Sequence, residues 1–135
     1  MEVFEMLNEE MMEVIEKERA YLATATPDGV PNVVPIGFIK PLDNKKVIIA
    51  DSYMVKSRAN LEKNPKVSFV VQDAARYPYQ FKGTVEIFKK GEHFDAVVEW
   101  VKDVNPLAPK PKAAVVITIT EIYSVKVGDK GKKIA

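Results

Sequence analysis

The chain contains no cysteine. That absence excludes disulfides, thiolate zinc sites, iron–sulfur clusters and cysteine nucleophiles together. Histidine is nearly as scarce. His93 is the only one, which removes almost every multi-histidine metal site and most histidine-based catalytic dyads. Neither sign of charge is in excess: Lys plus Arg number 20 against 19 Asp plus Glu, a net charge of +1. Non-specific binding to nucleic acid therefore has no electrostatic footprint. No run reaches the roughly 20 apolar residues that span a bilayer, so no membrane partner is expected. The start, Met1-Glu2-Val3-Phe4-Glu5, is acidic and leads into amphipathic sequence, unlike a signal peptide. No Walker loop, dinucleotide glycine fingerprint or nucleophile elbow occurs. These absences point to a cytoplasmic protein whose chemistry is carried by something it binds.

What is present is the composition of one soluble domain, residues 1–135. Hydrophobic residues make up 47% and charged residues 29%, enough to bury a sizeable core. Met6 to Glu18 carries Met, Leu and Ile at helical spacing, with Asn8 as N-cap ahead of two glutamates. Glu9, Glu10, Glu13 and Glu16 form its wet face. Tyr21 to Thr26 is extended, Pro27-Asp28-Gly29 is a turn, and Val30 to Lys40 resumes as an extended run. Pro31 and Pro35 bar that run from a fully paired central strand. Pro41 to Lys46 is the next turn and Val47 to Ala50 a short buried strand. A tight turn between two strands predicts an antiparallel hairpin.

Val55 to Lys63 predicts a short helix, ended at Asn64-Pro65 because the residue before proline avoids the helical region. Val67 to Gln72 and Tyr79 to Phe88 predict strands, the second with Gly83 as a bulge or bend. Phe94 to Lys102 places apolar residues, Trp100 among them, on one helical face. Asn105 to Lys112 is broken by three prolines, and Ala113 to Val127 is a final β-branched strand. The sum is about six antiparallel strands with two or three peripheral helices, the proportions of a small β-barrel.

Two stretches carry ligand-binding chemistry. Ala50 to Leu61 runs from a strand end through a polar turn into a helix start, where free backbone amides attract anions. Ser52 and Ser57 donate hydroxyl bonds while Lys56 and Arg58 bring charge, a set that satisfies a phosphate. The same residues also read as a solvated surface turn with a serine cap. Pro31 to Phe38 combines prolines and a glycine in an extended run, which fits an edge strand whose backbone meets a flat aromatic ligand. It fits a plain bulged edge as well. His93 reads as a solvated residue in a helix's first turn.

In order and spacing, several segments together resemble the FMN-binding split-barrel family, the pyridoxamine 5′-phosphate oxidase-like group. They are Ala23 to Pro31, Val34-Pro35-Ile36-Gly37-Phe38, Lys56 to Val67, and Lys82-Gly83-Thr84-Val85. The resemblance runs from about Arg19 to Tyr123. Lys112 to Thr120 is similar to the last strand of the family's short FMN-binding proteins. The resemblance implies a mainly β split barrel, a homodimer, and FMN held without a covalent bond at the subunit interface. Val33, Val34, Pro35, Ile36 and Gly37 would lie along the flavin ring. Asp51, Ser52, Lys56 and Ser57 would hold its phosphate, with Gln80 and Lys82 nearby. The partner subunit would bring its own copy of the Leu107 to Lys112 stretch towards the ring.

Two departures stand out. Val33, Val34 and Pro35 replace polar and aromatic residues of the short FMN-binding proteins, and Lys110 stands near a position where they carry tryptophan. The chain also lacks the substrate-binding tail of the true pyridoxamine phosphate oxidases. The resemblance thus implies an FMN-dependent oxidoreductase or electron-transfer protein with an unidentified redox partner, and no catalytic side chain. A deazaflavin-dependent reductase, or a flavin sensor or store without turnover, fits the same fold. Bare structural use without a ligand is the remaining reading.

Overall fold

Alternating apolar residues and the placement of prolines sort the strands into one antiparallel sheet. The computed structural model describes residues 6–73 and 76–135; the acidic start Met1 to Glu5 lies outside them. The strands are β1 (Ala20–Ala25), β2 (Pro31–Ile36), β3 (Ile39–Pro41), β4 (Lys46–Asp51), β5 (Lys66–Asp73), β6 (Arg76–Phe88) and β7 (Ala113–Ser124). The helices are α1 (Glu9–Lys17), α2 (Lys56–Lys63) and α3 (Glu92–Val104). Among the described residues the sheet has seven strands in the order β2-β1-β5-β6-β7-β4-β3. It curls into a half-barrel, the split β-barrel that the family resemblance implies.

The expected single run from Val30 to Lys40 is two strands. β2 pairs with β1 and β3 pairs with β4, so consecutive strands lie at opposite edges of the sheet. Gly37-Phe38 crosses between those edges. No ladder joins them, which is why the barrel is split and why the strand count is seven rather than six. The prolines sit where the sequence requires. Thr26 N–H donates to the Val30 carbonyl at 2.9 Å, and from that pair the register alternates through Ala25↔Pro31 and Ala23↔Val33 to Tyr21↔Pro35. Pro31, Val33 and Pro35 therefore occupy the pairs that exchange no ladder bonds, and their backbone groups face away from β1. No ladder bond is lost to proline.

The interior is built by alternate residues. Leu22, Phe69, Val71, Phe81 and Ile122 are fully buried or nearly so, and the Phe69 and Phe81 rings stack at 4.8 Å. α1 closes one end with Met11, Val14 and Ile15. It starts as expected: Asn8 Oδ1 accepts from Met11 N–H at 2.9 Å. Its first-turn Glu9 and Glu10 and last-turn Lys17 complement the helix dipole. β4 and β7 are buried on both faces, so they read as continuous apolar runs and not as alternation. Their second face packs Ile48, Ala50, Ala114 and Val116 against Val97 and Val101 of α3, with Phe38 and Trp100 at the margin. β7 ends at Ser124, short of the expected Val127, because the chain turns back and pairs Tyr123 with Lys133. No helix among the described residues is long and apolar enough to cross a membrane.

Gly83 marks the bulge. The β6–β7 register shifts between Lys82 and Gly83, and a Cβ on Gly83 would lie 2.3 Å from the Thr118 carbonyl oxygen and 2.8 Å from Ile117 Cγ2. Gly83→Ala is therefore expected to destabilise the protein by about 1–3 kcal/mol through overpacking. At Gly37 an added methyl meets nothing within 4 Å, so Gly37→Ala should leave stability nearly unchanged. Urea midpoints of the two variants test the contrast; equal midpoints would refute the close approach at Gly83.

Candidate functional site

The site forms where the split leaves the sheet open. A cavity of 670 Å³ lies against the Gly37-Phe38 crossing, within the size range of small-molecule sites. One wall is β2, through Asn32, Val34, Pro35 and Ile36. The opposite side is the turn from Ser52 to Ser57, and the rim is completed by Asn105, Leu107, Ala108 and Pro109 after α3. The lining is chiefly apolar, with polar groups gathered at the Ser52–Ser57 end. That division suits a flat aromatic body with an anionic end.

α2 is held against the barrel by amides. Asn32 Nδ2 donates to Ser57 Oγ at 3.1 Å, Asn60 Nδ2 to Thr24 Oγ1 at 3.0 Å, and Asn64 Nδ2 to the Ala25 carbonyl at 3.3 Å. Ser57, Asn60 and Asn64 recur at helical spacing, so this polar stripe is the face α2 turns towards β1 and β2. The helix start is different. Its N-cap is Val55, which supplies no capping hydrogen bond, and its first turn holds no acidic residue. Lys56, exposed, sits there instead, against the preference of the helix dipole for negative charge. Next to it the Ser52 hydroxyl is buried without a hydrogen-bond partner. An uncapped helix start, a lysine and an orphaned hydroxyl line the same cavity, and an anion would complement all three.

Beneath the turn lies Asp51. Its side chain is fully buried, and Oδ1 accepts from Met54 N–H at 2.9 Å. Oδ2 has no hydrogen-bond partner and faces Arg58 Nη1 at 3.5 Å. Burial pushes its carboxyl above the usual carboxylate range, opposed by the Met54 N–H and by the charges of Arg58 and Lys112.

The structure thus brings Val34, Pro35, Ile36, Gly37, Ser52, Lys56 and Ser57 together around the cavity. The other predicted site residues do not line this chain's cavity. Val33 is 64% exposed on the outer face, turned there by strand alternation. Asp51 is buried beside the turn, held by Met54 N–H and Arg58, and does not line the cavity. Gln80 and Lys82 lie on β6, paired with β5 and β7 away from the lining, and Lys82 Nζ stands 5.4 Å from the Tyr123 ring centre. His93 packs beside Phe88 at 4.8 Å between rings. Asn105 to Pro109 of this same chain line the cavity, although the resemblance assigns that neighbourhood to a partner's copy. Asn32, Phe38, Tyr53 and Met54 also line the cavity; they fall within the two stretches that the sequence marks for ligand binding but are not among its predicted site residues. Tyr53 was detectable as an aromatic residue in a polar turn; Asn32 showed only as an amide between two prolines.

The ionisation of Asp51 carries a stability signature. A carboxyl raised in the folded state binds protons more readily there than in the unfolded chain. Its contribution to stability therefore falls as pH rises from 3.8 through the raised midpoint. Asp51→Asn removes that term. Relative to the unsubstituted protein, the variant should gain stability as pH rises through this window, measured by thermal melts at a series of pH values. A constant difference would refute the raised midpoint.

Comparison with known proteins fits this geometry. The family model for pyridoxamine 5′-phosphate oxidase matches residues 7–126. An uncharacterized protein of Methanocaldococcus jannaschii is 48% identical over 132 residues, covering 96% of this chain and 88% of that protein. The crystal structure of HupZ from Group A Streptococcus superposes with a TM-score of 0.85 at 27% identity, covering 96% of this chain and all of that one. An FMN-binding protein from Syntrophomonas wolfei shares the fold with a TM-score of 0.66 at 22% identity, over 85% of this chain and 88% of its own.

Proposed function

Because the chain belongs to the pyridoxamine 5′-phosphate oxidase family, we propose that it is a redox flavoprotein whose cavity takes FMN. The observation that carries this reading is the buried, unpartnered Ser52 hydroxyl beside the uncapped start of α2 and Lys56. Other structures of this fold include an F420 reductase and a heme storage protein, so the fold alone does not choose the ligand. The anion subsite supports a ligand with a terminal phosphate. A terminal phosphate accepts from the Ser52 hydroxyl, the first backbone N–H groups of α2 and the Lys56 ammonium at once.

The isoalloxazine, when bound, supplies the electron and hydride chemistry. The chain's own residues orient it and limit its contact with water. Val34, Ile36, Phe38 and Met54 give an apolar bed. The edge of β2 presents the Val33 N–H between two prolines, beside the carbonyls of Pro31, Val33 and Pro35. Such an edge offers one donor and several acceptors to a ring but resists addition of another strand. No titratable side chain of the lining is needed as acid or base, in keeping with a chain that has one histidine and no cysteine.

The protein acts as a homodimer in this reading. Tyr21, Val33 and Leu107 are large apolar side chains left 47%, 64% and 94% exposed. Tyr21 and Val33 belong to the outward-facing set of paired strands, where a second copy would cover them. Light scattering at micromolar concentration should return about twice the chain mass of 15.1 kDa. A monomer that binds flavin with full affinity would remove the dimer from the reading.

The ligand assignment has a direct test. Titration of flavin-free protein should show FMN bound more tightly than riboflavin, followed by fluorescence quenching. Lys56→Ala should weaken FMN binding about tenfold, the lower end of a charge-assisted hydrogen bond because the lysine is exposed. His93→Ala should leave it unchanged. Equal affinity for the two flavins, or loss of FMN on substituting His93, would place the phosphate elsewhere. A purified protein carrying a deazaflavin, identified by its absorption spectrum and mass, would replace FMN with that coenzyme.

A further inference from the structure

We propose that the buried Asp51–Arg58 pair is a positioning device for the anion-receiving turn. It sets the shape of residues 52–55 before a ligand arrives and holds Arg58 back, leaving Lys56 as the cation that meets the phosphate. The proposal rests on the reading of the cavity as an FMN site and adds two residues to it that touch no ligand.

The geometry is a bracket around Met54. Its N–H donates to Asp51 Oδ1 at 2.9 Å, and its carbonyl accepts from Arg58 Nη2 at 3.3 Å. The other guanidinium nitrogen faces Asp51 Oδ2 at 3.5 Å, which closes the loop through charge. Arg58 is thus engaged at two points on the inner side of the turn, and it is absent from the cavity lining where Lys56 appears. The backbone of Asp51 extends the device. Its carbonyl accepts from Lys112 N–H at 2.7 Å, tying the turn to the segment whose Asn105 to Pro109 form the rim. One residue thereby connects the turn to the segment that forms the rim.

Net stability is a poor reason for such a pair, because removing two charges from water offsets most of their attraction. Preorganisation is a better one. A turn already shaped for an anion spends less of its binding free energy on ordering. The groups that face Asp51 are Arg58 from α2, Lys112 before β7, and the Met54 N–H of the turn itself. The charged groups in that set are cations. A phosphate dianion arriving above the turn adds negative charge over a carboxylate that burial already disfavours. Binding then favours the protonated carboxyl, and affinity carries the mark of Asp51's titration. A residue that served the fold alone would leave no such mark.

The test compares FMN with riboflavin on the full chain and on Asp51→Ala, Asp51→Asn and Arg58→Ala, each first checked for native circular dichroism. Asp51→Ala should weaken FMN about tenfold, the loss of one buried hydrogen bond, and riboflavin by less than about twofold. Arg58→Ala should do the same. Asp51→Asn keeps an acceptor for Met54 N–H, so FMN affinity should stay within about threefold of the parent. The ratio of parent to Asp51→Asn dissociation constants for FMN should rise as pH increases from 3.8 through the raised midpoint of Asp51, since only the parent carries the carboxylate. That ratio for riboflavin should stay flat. Taking the ratio at each pH cancels the titration of FMN's own phosphate. If Asp51→Ala does not fold, Arg58→Ala and Asp51→Asn carry the test.

Equal losses of FMN and riboflavin, or a flat FMN ratio with Asp51→Asn as damaging as Arg58→Ala, overturn the positioning role while leaving the FMN site standing. A parent protein that shows no preference for FMN over riboflavin overturns the site and the positioning role together.

Discussion

The ladder between β4 and β7 is the constraint on which the site depends. From Lys46↔Thr118 to Asp51↔Ala113, these strands pack the barrel interior on one face and α3 on the other. Apolar residues on both faces make the ladder a rigid wall. They also mean that whatever ends the ladder is dry. Asp51 ends it, and a carboxylate in that position must be met by nearby donors and cations. The Met54 N–H, Arg58 and the turn's shape follow from that demand. The orphaned Ser52 hydroxyl is the residue of a turn bent to satisfy Asp51 first.

The split has the same origin. Among the described residues β3, three residues long, pairs only with β4, and β2, with prolines at its outward positions, pairs only with β1. Neither edge is able to accept the other as a full neighbour. The chain crosses between them in two residues, and the gap that remains is the cavity. A longer β3, or donors in place of the two prolines, would favour closure of the barrel over the ligand site.

Most of the fold was legible because its signals are local. The Asn8 cap, the Pro27-Asp28-Gly29 turn and the Asn64-Pro65 stop each act within four residues of one another, and the hairpin of β1 and β2 follows from them. Buried β4 and β7 were legible as apolar runs. The break at Gly37-Phe38 was not, because both halves are extended and only the sheet order shows that they part. The site was partly legible for the same reason. Ser52, Lys56 and Ser57 belong to one short turn, so sequence adjacency stands for spatial adjacency. The Val33 side chain falls outside the lining by the strand's alternation, while its backbone groups face the free edge of β2, and Gln80 and Lys82 lie on β6 between β5 and β7, outside this chain's lining. Asp51 is the instructive case. Its position beside Ser52 predicts a phosphate contact, whereas its side chain is fully buried against Met54 N–H and Arg58, which adjacency cannot report.

The unsatisfied groups at the turn carry a definite energetic cost. A buried hydroxyl without a partner costs about 1–3 kcal/mol, and the uncapped start of α2 forgoes the roughly 1 kcal/mol that a side-chain cap contributes. Opposing them, the three amide bonds from Asn32, Asn60 and Asn64 hold the helix in place whether or not the cavity is filled. The fold therefore carries the strain locally, in the turn, and not in the docking of the helix. An anion that satisfies the turn stabilises the native state alone, because the unfolded chain has no such cradle. Ligand binding and the stability of this end of the barrel are then one equilibrium, with the dry end of β4 as its fixed point.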